Sequence, residues 1–70
     1  MNVNKNLMRE IVENIIDAAD ELLERHDKDL LVQGQLIAYA ETLSIIRDAC
    51  AGYDLAEIGL DFDIDGRYLI

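Results

Sequence analysis

The sequence predicts an all-α fold: an antiparallel helical hairpin that pairs with a second copy as a four-helix bundle, followed by a short C-terminal turn and an extended acidic tail. Three observations carry this expectation. Val32, Leu36, Tyr39, Leu43, Ile46, Cys50 and Tyr53 recur at alternating spacings of four and three, which is an apolar seam on one helix. An earlier stretch places Leu7, Met8, Ile11, Val12, Ile15, Ile16, Ala18, Ala19, Leu22 and Leu23 in adjacent apolar pairs that repeat every three to four residues. The chain is also only 70 residues long, so a lone hairpin leaves much of its surface uncovered.

The first helix is expected from about Asn4 to His26, with Asn2, Asn4 or Asn6 as its N-cap. Its paired apolar positions describe two stripes, one along Met8, Ile11, Ile15, Ala18 and Leu22, the other along Val12, Ile16, Ala19 and Leu23. One intramolecular partner covers only one of them. The opposite face carries Glu10, Glu13, Asp17, Asp20, Glu21 and Glu24, relieved at the helix end by Glu21–Arg25 and Glu24–Lys28 pairs at i,i+4 spacing. The polar step His26-Asp27-Lys28-Asp29 then interrupts the pattern, and a connection this short makes consecutive helices antiparallel neighbours. Asp27 or Asp29 can serve as N-cap of the second helix.

The second helix is expected from about Leu30 to Ala51, with Gly52 as the left-handed residue that ends it. Leu31, Ala38, Ile45 and Ala49 flank its seam and widen the apolar surface to about half the circumference at 100° per residue. Asp54 with Glu57 three residues later resembles a capping box, and Gly59 supplies a stop, so one helical turn is expected over Asp54 to Ile58. From Leu60 to Asp65 apolar and acidic residues alternate, a period-two pattern that predicts a strand or extended tail lying over the helices through Leu60, Phe62 and Ile64. The organisation is therefore a hairpin over 1–53 and a turn with an extended tail over 54–70, in one domain.

Composition narrows the function classes. Fifteen acidic residues against six basic ones give a formal net charge of −9, which argues against direct binding to nucleic-acid phosphates or an anionic membrane. An apolar content of 51% at regular spacing separates the chain from acidic disordered tails. A single cysteine and a single histidine rule out an internal disulfide and an internal Cys/His zinc site, leaving self-association as the device by which so small a domain gains stability. No apolar run reaches membrane-span length and no signal-peptide core follows Met1, so a cytoplasmic protein is expected.

The sharpest motif is Asp61-x-Asp63-x-Asp65-Gly66, the first half of a calcium loop, which makes Asp61, Asp63 and Asp65 the metal candidates. These seventy residues do not carry the bidentate Glu that completes such a loop, and a solvated acidic edge accounts for the same residues. Glu13, Asp17 and Glu24 form a candidate acidic surface for a basic protein partner, or a mimic of the DNA phosphate array competing for a basic DNA-binding protein. The expected oligomer interface comprises Ile15, Ile16, Leu22, Leu36, Tyr39, Leu43, Ile46 and Cys50. Cys50 reads as a small buried hydrophobe, and His26 as a solvated or capping residue with no nucleophile at helical spacing. No cofactor and no catalytic residue is expected; the reading is a small acidic interaction or regulatory module acting as a homo-oligomer.

Overall fold

The computed structural model describes residues 4–25, 27 and 29–69. Among them the structure is all-helical: α1 (Lys5–Leu23), α2 (Leu30–Ala49), a 3₁₀ turn (Leu55–Ile58) and α3 (Ile64–Tyr68). α1 and α2 pack against each other as the expected hairpin, and the result is a rod of 40 × 17 × 17 Å. No helix of the described residues is long and apolar enough to cross a membrane.

The helix starts follow from their caps. The Asn4 side chain accepts from the backbone N–H groups of Asn6 and Leu7, and Asp29 accepts from that of Val32 at 2.9 Å, so both long helices begin with an orphan donor satisfied. Asp54 accepts from the Ala56 N–H, and Gly59 at φ 80° ends the 3₁₀ turn in the left-handed region, as its sequence predicts. Gly52 does not play that part for α2. The helix stops earlier, at Ala49, with Cys50 as its C-cap, and Gly59 is the described residue with positive φ. α1 likewise ends at Leu23, where Glu24 caps it and Arg25 turns to Asp27 at 3.8 Å. The expectations placed on Asn2, His26 and Lys28 lie outside the described residues.

The tail is where the sequence misleads. Ile64–Tyr68 is an α-helix rather than a strand, because Asp63 caps it by accepting from the Gly66 N–H at 3.1 Å. Helical spacing then brings Ile64 and Tyr68 onto one side, and Leu60, in the connection before the helix, is buried in the same core. Together with Ile58 they join Val12 and Ala19 of α1 and Val32, Leu36, Ala40, Leu43 and Cys50 around α2 in a single core. The 3₁₀ turn packs on α1 and α3 on α2, so the C-terminal segment is a third layer across one side of the hairpin. Far from trailing, it supplies Tyr68, Ile58, Leu60 and Ile64, four of the six largest fully buried side chains.

Because a Cβ on Gly66 would come within 2.5 Å of the Asp63 carboxylate, the cap and the glycine fit each other. Replacing the cap by Asp63→Ala is expected to cost about 1 kcal/mol, lowering the thermal midpoint by about 4–8 °C. Asp63→Asn, which keeps the acceptor, should melt close to the unsubstituted protein when both are followed by circular dichroism.

Candidate functional site

Residues expected at an oligomer interface divide into two groups. Leu36, Leu43 and Cys50 are buried inside the single chain, covered by its own C-terminal layer, while Ile15, Ile16, Leu22, Tyr39 and Ile46 are half-buried around them. The seam is thus the core of one protomer. What remains open lies on the other side of α2.

There, Leu30 is 85% exposed, Leu31 71% and Ile45 68%, with Ile37 about half exposed. At 100° per residue these four fall with Gly34, Ala38, Glu41, Asp48 and Ala49 into an arc of about 120°, opposite the arc of Val32, Leu36, Ala40 and Leu43. α2 is apolar on both faces. Of its twenty residues only Glu41, Arg47 and Asp48 are charged, whereas a helix at a protein's surface ordinarily shows a polar side to water. α1 continues the open face with Leu7 and Ile11, both exposed, beside half-buried Ala18 and Leu22. This edge lies on the flank of α1 away from Lys5 and Asp20, the residues that hold the C-terminal layer. An open groove of about 350 Å³ joins the two helices near the hairpin turn, lined by Ala18, Glu21, Leu22, Arg25, Gln35 and Tyr39.

The acidic candidates Glu13, Asp17 and Glu24 are exposed on the remaining side of α1. Glu13 is engaged by Arg9 at 2.9 Å, one turn before it. In the tail, Asp63 is committed to capping α3, and Asp61 and Asp65 are exposed on either side of it. Among the described residues no group of three or more His, Cys, Asp or Glu side chains is placed to hold a metal ion.

Sequence reasoning missed the clasp that closes the C-terminal layer. Arg67 grips Asp20 with two N–H donors, Nε at 3.2 Å and Nη2 at 2.7 Å, and the Tyr68 hydroxyl donates to the same carboxylate at 2.9 Å. The guanidinium lies over the Phe62 ring, 5.3 Å from its centroid, and Phe62 meets Tyr68 edge-on. At the other end, Lys5 pairs with Glu57 at 2.8 Å and ties the 3₁₀ turn to the start of α1; that hydrogen bond raises the lysine pKa. Asp63 as a cap with the four-residue spacing of Ile64 and Tyr68 is the signal that would have placed α3; nothing local points to Asp20.

Burial, and then the hydrogen bond to Asp20, pushes the Tyr68 phenol up from 10.0 to about 12. A raised pKa means the folded state holds the phenolic proton more tightly than the unfolded chain, so its contribution is whole below pH 10 and fades as pH rises to about 12. The stability difference between the protein and Tyr68→Phe, measured by urea unfolding across that window, should therefore change with pH; a constant difference would remove the role given to this hydroxyl. No protein family, no curated protein and no solved structure matches the chain.

Proposed function

We propose that this protein is a small non-catalytic association module that works as a homodimer, two hairpins packing through their open faces into a four-helix bundle. The acidic side of α1 is then the outward surface, available to a basic protein partner. One observation carries the reading: α2 has a second apolar face that its own chain leaves in water.

Magnitudes support it. Leu31 and Ile45 are each worth about 1.5–3 kcal/mol when fully buried, so two copies gain about 6–12 kcal/mol by covering them. Association costs roughly 4–15 kcal/mol in lost freedom. The α2 face alone is near balance, and the α1 edge with Leu7 and Ile11 tips it. The folded chain exposes 4853 Å², about a tenth more than the roughly 4,400 Å² expected at 7.9 kDa, as befits a rod with a side left to cover. Two chains of net charge −9 repel, yet Glu13, Asp17 and Glu24 lie away from the open face, and Glu21 at the groove is the acid of α1 nearest to it.

Leu31→Ser and Ile45→Ser each remove one apolar side chain from both copies, so each is expected to weaken the dimer by about 3–6 kcal/mol, a hundredfold or more. Both residues are exposed in the single chain, so helicity should persist in the dissociated protein. Leu43→Asp, at a fully buried position, should instead abolish folding. Sedimentation with circular dichroism separates these outcomes, and added salt should tighten the dimer by screening the like charges. An unsubstituted protein that sediments as a folded monomer at micromolar concentration overturns the proposal.

A further inference from the structure

We infer that the two copies meet α2 against α2, antiparallel, about a twofold axis passing beside Ala38. This rests on the dimer proposed above and adds its register.

A twofold interface must be self-complementary, each residue meeting the one related to it by the axis. An antiparallel axis at Ala38 pairs Leu31 with Ile45 of the second copy, Gly34 with Thr42, and Ala38 with itself. Large apolar side chains close both ends of the contact and small ones occupy its centre, where helix axes can approach to about 8 Å. Space for this exists: a Cβ built on Gly34 meets nothing within 4 Å in the single chain.

Charge selects the direction. Glu41 is the charged residue nearest the centre of this face, and the antiparallel register sets it opposite Gln35 of the second copy. A parallel pairing sets Glu41 beside Glu41 and aligns the two helix dipoles, both repulsive.

The groove between the helices is lined by Gln35 and Tyr39 of α2 with Ala18, Leu22 and Arg25 of α1, so Ala38 lies near the level of Ala18 and Leu22, which flank the contact. The alternative, α2 laid over α1 of the second copy, sets Ala38 against the stretch from Ala18 to Leu22, and Leu22 holds the helices apart where Gly34 and Ala38 allow closeness. The face is large enough: α2 is roughly 30 Å long and the rod is 17 Å wide, a footprint of about 500 Å² per copy before side-chain relief. Two such faces reach the roughly 1,000 Å² that a specific interface requires.

Disulfide trapping tests the register. In a Cys50→Ala background, Ala38→Cys should oxidise to a covalent dimer roughly tenfold or more faster than Gly34→Cys or Thr42→Cys alone, whose own copies lie about 12 Å apart along the axis. Mixing the Gly34→Cys and Thr42→Cys proteins should restore fast cross-linking between them. The register is overturned if Gly34→Cys cross-links to itself, as a parallel pair would, or if Ala38→Cys cross-links only to an Ala18→Cys or Leu22→Cys partner. Sedimentation of the reduced proteins separates the two levels: dimers that fail to trap at Ala38 refute the register alone, whereas monomers throughout refute the dimer and the register with it.

Discussion

The docking of residues 58–68 onto the hairpin is the interaction on which the rest of this structure depends. Two helices in contact share only a line of side chains, and a line has no interior. Ile58, Leu60, Ile64 and Tyr68 close over that line and turn it into a core in which Leu43 and Val12 are fully buried. Polar groups hold the layer at both ends, Lys5 to Glu57 and Arg67 with Tyr68 to Asp20. The second is the more consequential, since one partly buried carboxylate receives two guanidinium donors and a phenol from a helix of five residues. Surface ion pairs ordinarily add little. Here a bidentate geometry and the edge-on rings of Phe62 and Tyr68 fix a segment too short to be helical by itself.

That dependence explains which parts of the fold were legible in the sequence. The seam of α2 and the stripes of α1 are periodic over five turns, so they identify two helices without help from tertiary structure, and Asn4, Asp29, Asp54 and Gly59 declare their ends locally. The tail carries two periods at once. Asp61, Phe62, Asp63 and Ile64 alternate, while Leu60, Ile64 and Tyr68 recur at four, and over so few residues neither period outweighs the other within the sequence. What decides is contact with α1 and α2, made across 47 and 48 residues by Arg67 and Tyr68 and invisible to any local window. Gly52 misled for a related reason: α2 gives way before reaching it, so that Tyr53 and the residues after it can turn back along α1.

The open apolar surface was half legible. Leu31, Ala38, Ile45 and Ala49 signal more apolar surface on α2 than one neighbour can cover, and they are residues the single chain leaves exposed. The seam nonetheless draws the expected interface to Leu36, Leu43 and Cys50, because it is the more regular pattern, and regularity marks a packed face without saying what packs on it. Once the C-terminal layer occupies the seam, the excess moves to the reverse of α2.

The two long helices divide their labour in a way that bears on association. α1 is amphipathic in the ordinary sense and carries five acidic residues, whereas α2 carries only three charged residues in all. In the proposed dimer most of the acid on α1 stays outside the contact, and the apolar surface of α2 enters it. A monomer gains nothing from this arrangement, since water meets α2 over Leu30, Leu31 and Ile45 at full cost. In an antiparallel pair the same distribution would keep Glu13 and Asp17 of the two α1 helices on the outside and bring together two α2 faces whose charged residues are Glu41 and Asp48. The net charge of −9, which first suggests a protein that repels its own kind, would then limit assembly: further copies approaching the proposed dimer would meet acid on the outer face of each α1.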